Sequence, residues 1–397
     1  MLRSLLMKAQ TGWSIADNVT TSTFTIMTTP SAPLRRLRAF FLLAQPPLLF
    51  QEGNTLSWQL IHTFIECRYR QNGDREMNHR IFVSLIAFVL LTLPLAGQST
   101  KGYVPPRAAD GKPDLQGIWT NPTITPFERP AELRDKEVLT ENEVAELEAR
   151  AAQTNVDAPP KAGDVGAYNR FWFDSGTKVV STRQTSLVVE PRDGRVPVRP
   201  EAEAKRDYDL AHLTDSYEHM SVWDRCITRG VPAGMFPAGY NNAYQIVQIP
   251  GYVVILYEMI HNARIIPMDG RPHLPSSVKM WDGDPRGRWE GDTLVVDTTN
   301  YNSKGWIATS AASGRIKGIP QSEALHVVER FTRVSADTIS YEVTIDDAKT
   351  YTKPWKVAIP LTRDPDYKIF EYACQEGNHA VENILRGGRL AETQGKK

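Results

Sequence analysis

The chain has 397 residues with 46 basic and 46 acidic side chains, and 41% of its residues are hydrophobic. Residues 1–76 hold 8 of the basic and 5 of the acidic side chains, which leaves 38 basic and 41 acidic ones from Met77 onward. This near-neutral balance excludes the strongly basic surface that nucleic acids or anionic membranes attract, so we expect no nucleic-acid partner. The length is enough for one large domain or two small ones.

Residues 77–99 have the pattern of a secretory signal peptide. A basic start at Met77–Arg80 precedes an apolar run, Ile81–Leu95, and small residues follow that run. The run is shorter than the roughly 20 apolar residues of a membrane span. The alternative, a buried core helix, conflicts with Pro94. We therefore expect a periplasmic or secreted protein whose mature chain has no membrane span.

Residues 1–76 are interpreted as a mispredicted N-terminal extension. They are rich in Thr, Ser and Pro, and their apolar run at 39–50 is interrupted by Pro46 and Pro47. A genuine presequence is the alternative, because such segments also have few acidic residues.

Residues 100–165 are predicted to form a leader with one peripheral helix. Asp114–Trp119 has the pattern of a first strand. Thr140 and Glu143 have the spacing of a capping box, in which each side chain binds the other's backbone N–H, and a helix is expected from Glu141 to Ala152. A linker is expected at 155–165, which contains Pro159 and Pro160.

Residues 166–390 are predicted to form an all-β, barrel-like domain. Two strands are expected at Tyr244–Ile249 and Tyr252–Ile266, and hairpin turns at 290–292 and 335–337. Apolar residues alternate with polar ones in two further strands. The predicted core residues of those strands are Ile339, Tyr341, Val343, Ile345, Trp355, Val357, Ile359 and Leu361.

The C-terminal region is predicted to add a last strand, Tyr367–Cys374, and a helix from His379 to Leu385 that ends at Gly387 and Gly388. Residues 391–397 are predicted to be a disordered tail. The complete pattern predicts an antiparallel meander that forms a closed or partly open barrel, with one N-terminal and one C-terminal peripheral helix, because closure removes exposed strand edges. A two-sheet β-sandwich is the alternative.

Two cysteines follow the predicted signal peptide, Cys226 and Cys374. Cysteine pairs in exported chains are usually structural, so we predict that these two form a disulfide. A metal-ligand or nucleophilic role is the alternative, although neither cysteine belongs to a CxxC motif.

Three motifs resemble a family of uncharacterised exported bacterial proteins. They are Pro113–Trp119 (PDLQGIW), Gly287–Leu294 (GRWEGDTL) and Glu371–Asn378 (EYACQEGN). The likeness covers most of the chain from about residue 105 to 390, and it implies export but no established activity. Gly117–Trp119 also resembles the Gly-x-Trp opening of lipocalin-like barrels, which implies a cup for a small apolar ligand.

The predicted strand Tyr252–Ile266 holds most of the candidate catalytic residues, and its length makes a bulge near His261 and Asn262 an alternative to a regular strand. A carboxylate among apolar neighbours has a raised pKa and can act as a general acid or base. We therefore consider Glu258 or His261 as the base, with Tyr257 or Asp269 as its acid partner. The alternative is structural, with Glu258 paired to Arg264 and His261 satisfied in the core.

Two polar segments are candidate ligand-binding regions. In the first, two amides lie between two aromatic rings, an arrangement that suits a sugar or an aromatic ring; its residues are Tyr240, Asn241, Asn242 and Tyr244. In the second, Glu376 and His379 lie at the start of the predicted last helix, whose free N–H groups favour an anion. An asparagine-rich turn with core tyrosines is the alternative explanation of the first segment.

The favoured function is that of an exported domain that binds a small amphipathic or carbohydrate-like molecule in a cavity lined by Tyr240, Asn242, Tyr257 and His261. No phosphate-binding, dinucleotide-binding or zinc-protease motif is present in the sequence, so we expect neither cofactor nor metal. One alternative is a cofactor-free hydrolase, lyase or isomerase acting on a sugar or terpenoid-like substrate. The other is a structural envelope protein. Oligomeric state is left open.

Overall fold

The computed structural model describes residues 103–154 and 173–395. The predicted extension at 1–76, the predicted signal peptide at 77–99 and the predicted linker at 155–165 lie outside the described residues.

Within residues 103–154 and 173–395, ten strands form one antiparallel sheet, and three α-helices lie outside it. The strands are β1 (Gly117–Thr120), β2 (Val188–Glu190), β3 (Tyr244–Ile249), β4 (Tyr252–Tyr257), β5 (Ala263–Pro267), β6 (Asp284–Glu290), β7 (Thr293–Thr299), β8 (His326–Ser335), β9 (Thr338–Asp346) and β10 (Trp355–Arg363). The helices are α1 (Glu141–Thr154), α2 (Pro200–Ala211) and α3 (Ala380–Thr393). The predicted all-β barrel class is confirmed; α2 was not predicted.

The strands form a nearly closed barrel. Their hydrogen-bonded order is β5-β4-β3-β1-β10-β9-β8-β7-β6, and β2 pairs with β10 outside this path. At the seam, β6 lies against the end of β5, where Gly287 allows a close approach: a Cβ on Gly287 would lie 2.2 Å from Sδ of Met268 and 2.9 Å from Cγ2 of Ile266. A side chain at position 287 would therefore require the side chains of Met268 and Ile266 to move.

The N-terminal leader contributes to the barrel. Trp119 of β1 pairs with Tyr244 of β3 on one side and with Arg363 of β10 on the other. Trp119 is fully buried, and its indole N–H donates to the carbonyl of Leu115 at 2.8 Å. The barrel therefore begins before residue 166, where the sequence placed its start.

The predicted alternation in the two long C-terminal strands is confirmed. In β9 and β10 the alternate side chains that face the core are buried, as the pattern requires, and Tyr341 and Val357 are both 0% exposed. Burying each large apolar side chain contributes about 1.5–3 kcal/mol.

The two ends of the barrel differ. Tight turns at 250–251, 291–292 and 336–337 define the short-turn end. The opposite end, the long-loop end, holds the connections 191–243, 300–325 and 347–354 and the turn 258–262. Loops on a rigid scaffold are where binding residues concentrate, so the long-loop end is the natural location for a site.

The predicted long strand Tyr252–Ile266 is a hairpin. β4 and β5 pair with each other, with Leu256 opposite Ala263, and the chain turns at 258–262. The segment Tyr252–Ile266 contains neither Gly nor Pro to mark a turn. The left-handed positions of the turn are Ile260 and His261, which have φ of 63° and 37°. A left-handed Ile is an outlier, because its branched Cβ crowds the backbone.

Two C-terminal predictions were wrong. Residues 367–374 form no strand. Helix α3 continues through Gly387 and Gly388 to Thr393, past residue 390, where a disordered tail was predicted to follow. Gly388 is buried against Thr214, where a Cβ would lie 2.6 Å from the Thr214 Cβ, so packing explains this glycine better than helix termination does.

Helix α1 begins as predicted. Glu143 accepts from the backbone N–H of Thr140 at 2.8 Å, and the Thr140 hydroxyl accepts from the N–H of Glu143 at 3.3 Å. None of the helix residues is buried, so α1 is peripheral.

Candidate functional site

Glu258 occupies the first position after β4, at the long-loop end. It is 1% exposed, and its hydrogen-bond partners among the described residues are neutral donors. Asn241 Nδ2 donates to Oε1 at 2.6 Å, and the Tyr367 hydroxyl lies 2.8 Å from both carboxylate oxygens. Burial raises the pKa of the Glu258 carboxyl, while Tyr367, Asn241 and the backbone of Phe370 lower it in part. A carboxyl with a raised pKa can act as a general acid or base.

The next residues along the site are two adjacent amides with different roles. Asn241, in a left-handed conformation with φ of 53°, directs its side chain to Glu258. Asn242 is buried and holds the backbone: its Oδ1 accepts from Ala238 N at 2.7 Å, and its Nδ2 donates to the carbonyl of Asp174 at 2.8 Å. Asn242 therefore positions the loop and is not available to a ligand.

Four aromatic rings form a cluster beside these amides, with Tyr240 at its centre. The Tyr240 ring lies 6.0 Å from Trp223, 6.4 Å from Tyr372 and 6.3 Å from Phe173, measured between centroids. Phe173 is 45% exposed, and the other three rings are half-buried. The cluster is therefore partly accessible to solvent. Its flat apolar faces can stack on a ring-shaped ligand.

Arg229 lies beside this cluster, and the sequence-based prediction missed it. The side chain is 4% exposed, and its guanidinium lies 5.6 Å from the Trp223 ring centroid. Its Nε and Nη2 have no hydrogen-bond partner among the described residues. Burial lowers the pKa of Arg229, opposed by nearby Tyr244, Tyr240 and Tyr372. The signal was present, since Arg229 is the only charged residue between Arg225 and Glu258.

The predicted disulfide between Cys226 and Cys374 is confirmed, with the two Cα atoms 5.5 Å apart. It joins the loop that carries Arg229 to the chain that follows β10. That chain returns to the long-loop end, where the carbonyl of Tyr372 lies 2.8 Å from Nδ1 of His261. Because a carbonyl only accepts, Nδ1 of His261 is the protonated nitrogen.

Tyr244 and Tyr257 are buried between the site and the barrel core. Their rings meet edge to face with centroids 5.8 Å apart. Neither hydroxyl has a hydrogen-bond partner among the described residues. Burial raises the pKa of Tyr257. The buried ion pair of Arg264 and Glu329 lies nearby: Arg264 opposes this rise in pKa and Glu329 adds to it.

The sequence-based pairing of Glu258 with Arg264 was wrong. Arg264 Nη2 lies 2.5 Å from Oε2 of Glu329 across the barrel and donates to Thr298 Oγ1 at 2.8 Å. The Tyr341 hydroxyl donates to the other Glu329 oxygen at 3.1 Å. The hairpin turn explains this, because it places Glu258 at the rim and returns Arg264 to the interior.

Three predicted site residues lie apart from Glu258. Asp269 follows β5 at the short-turn end and is bound to Arg271, which lowers the pKa of Asp269 to about 2. Asp269 is therefore not the acid partner of Glu258. Glu376 and His379 are exposed, and His379 lies 3.7 Å from a carboxylate oxygen of Glu382. No hydrogen bond among the described residues joins either of them to Glu258.

A second polar group lies on the strands β6–β8 and the loop before them. His273 contacts Asp284 at 3.2 Å and Asp297 at 3.1 Å, and His326 contacts the second oxygen of Asp297 at 3.0 Å. Within residues 103–154 and 173–395, no three His, Cys, Asp or Glu side chains are arranged to hold a metal ion. In the same ranges, no helix is both long enough and apolar enough to cross a membrane.

Comparison with protein-family models, curated proteins and solved structures finds no match to this chain.

Proposed function

We propose that this chain is an exported protein that binds a small amphipathic or carbohydrate-like molecule at the long-loop end of its barrel. The observation that carries the proposal is the juxtaposition of the Tyr240 aromatic cluster with the Asn241–Glu258–Tyr367 hydrogen-bond group. Stacking faces beside a few directed polar groups are typical of small-molecule sites. The Cys226–Cys374 disulfide supports an oxidising compartment, the periplasm or the exterior.

The location differs from that of a lipocalin-like cup. Large side chains of the core face the interior of the barrel, among them the fully buried Phe331, Tyr341 and Trp355. The half-exposed rings of the Tyr240 cluster lie at the loops instead, so the ligand is proposed to enter between loops at the rim.

Native mass spectrometry of the protein expressed from the full chain tests this function. We expect a retained small molecule, and its loss in Tyr240→Ala. Tyr208→Ala is the matched control, because Tyr208 is an exposed aromatic residue that stacks on His212 of the same surface helix region, away from Glu258. A bare chain in every preparation would contradict ligand binding and favour the structural envelope role.

A second candidate function is acid/base catalysis without a cofactor, on a sugar or terpenoid-like substrate. The raised pKa of Glu258 and the Tyr367 hydroxyl 2.8 Å away favour it. Glu258 would then donate a proton to a leaving group or carbonyl oxygen. Incubating the retained molecule with wild type and with Glu258→Gln, followed by NMR, tests this role: turnover only by wild type supports catalysis, and no turnover by either leaves binding alone.

A further inference from the structure

Arg229 is a buried positive charge that has no counter-ion among the described residues. It is 4% exposed, makes no salt bridge among the described residues, and its nearest ionisable neighbours are the hydroxyls of Tyr244, Tyr240 and Tyr372. Guanidinium groups keep their charge in proteins, so the cost of burial is not avoided by deprotonation. A buried charge is normally paired, and one left alone is strongly unfavourable.

Another buried arginine of the same chain is held by three carbonyl acceptors. Arg333 is 6% exposed and lies 5.6 Å from the ring of Trp119, the same separation as between Arg229 and Trp223. Yet Arg333 donates to the carbonyls of Asp114, Ser335 and Ala336. At the short-turn end, Arg333 both stacks on a tryptophan and donates hydrogen bonds. At the long-loop end, Arg229 stacks on a tryptophan, but two of its donor atoms have no partner among the described residues.

The open donors of Arg229 form one edge of the guanidinium. Nε and Nη2 are the two atoms without partners among the described residues, and their N–H bonds on that edge run nearly parallel. This spacing matches the two oxygens of a carboxylate, which bind such an edge in a bidentate way. We propose that Arg229 binds the carboxylate of the ligand.

The surroundings of Arg229 favour a ring-bearing monoanion. Arg229 carries a single positive charge. Its neighbours are tyrosine and tryptophan side chains, whose aromatic rings can stack on a ring of the ligand. The ligand class is therefore an aromatic or sugar acid with one carboxylate. This inference rests on the proposed binding function and names the chemical class of its ligand.

Calorimetric titration of the full chain with matched acids and neutral analogues tests the inference. The probes are benzoate against benzamide, glucuronate against glucose, and phenyl phosphate. We expect at least one acid to bind about tenfold or more tightly than its neutral analogue. Arg229→Gln should abolish that preference, and Arg229→Lys should recover only part of it because lysine lacks the two-donor edge. Arg333→Gln is the matched control and should leave the preference intact.

The outcomes separate this inference from the binding function itself. Equal affinity for acids and neutral analogues, or an unchanged preference in Arg229→Gln, overturns the role of Arg229. A neutral molecule retained in native mass spectrometry, with no acid bound, overturns the ligand class but leaves the binding function standing. Preference for phenyl phosphate over benzoate overturns the choice of carboxylate. If no molecule is retained and no probe binds, both proposals fail.

Discussion

The hydroxyl of Tyr367 lies 2.8 Å from both carboxylate oxygens of Glu258, which joins the chain after β10 to the turn between β4 and β5. The contact spans 109 residues of sequence. The segment that donates this hydrogen bond to the buried carboxyl is also fixed by the Cys226–Cys374 disulfide. The site is therefore assembled from two distant parts of the chain.

Tyr367→Phe removes one donor from this buried carboxyl. We expect a loss of about 1–3 kcal/mol in the free energy of unfolding, because Glu258 loses a hydrogen bond that water does not replace. Urea denaturation measures it. Tyr252→Phe is the control, since its hydroxyl accepts from Arg271 at the exposed short-turn end. Equal losses in both variants would contradict a special role for Tyr367.

Glu258 should make stability fall as pH rises. Burial raises its folded pKa above the unfolded value, so the unfolded chain releases this proton first as the pH increases. The contribution is present below the unfolded pKa of about 4.3 and is lost as pH rises through the folded pKa. Urea denaturation of wild type and Glu258→Gln between about pH 4 and 8 should show wild type losing stability relative to the variant with rising pH.

Glu143 should show the opposite slope. Hydrogen bonds from Lys136 and Thr140 lower its pKa to about 2. Its contribution is therefore present above the unfolded pKa and is lost as pH falls toward about 2. In urea denaturation extended from about pH 6 down to about pH 2, the stability of wild type should fall toward that of Glu143→Gln as the solution is acidified. Parallel slopes for the Glu143 and Glu258 variants would refute both assignments.

The buried pair of Arg264 and Glu329 should be sensitive to removal of one partner. Glu329→Gln leaves Arg264 charged inside the barrel, and we expect a loss of about 3–5 kcal/mol in the free energy of unfolding. Replacing both, with Arg264→Met and Glu329→Leu, should recover most of this loss. Lys356→Met breaks an exposed pair with Glu190 and should cost about 1 kcal/mol or less.

Two adjacent glycines in α3 provide a matched test of packing. A Cβ added to Gly387 would have no neighbour within 4 Å, so Gly387→Ala should stabilise the helix by up to about 1 kcal/mol. Gly388→Ala would place its Cβ 2.8 Å from the carbonyl oxygen of Thr214 and should destabilise the protein. Thermal unfolding measures both. Stabilisation by both substitutions would show that α3 does not pack closely on Thr214.

The hairpin with Ile260 shows where sequence reasoning failed. Turns are predicted from Gly, Pro, Asn and Asp, but the left-handed positions of this turn are Ile260 and His261, while its Asn262 has extended backbone with φ of −73°. Side chains of Tyr252–Ile266 were assigned to alternate faces as if the strand were continuous. The partner of Arg264 and the environment of Glu258 were therefore predicted incorrectly. Asn241 and Glu258, by contrast, were both predicted site residues, and the structure brings them together.

The sequence by itself determined the barrel class, the alternation of β9 and β10, the start of α1 and the cysteine pair, because these depend on local periodicity, capping chemistry and residue type. Only the tertiary structure decided which polar groups meet. Arg229 is isolated among uncharged residues in the sequence, but its place beside the Tyr240 cluster, like that of Tyr367 beside Glu258, follows only from the convergence of the long loops and the chain after β10 on one end of the barrel. The burial and the hydrogen-bond partners of these side chains depend on contacts between segments that are distant in the sequence, so the local sequence pattern does not predict them.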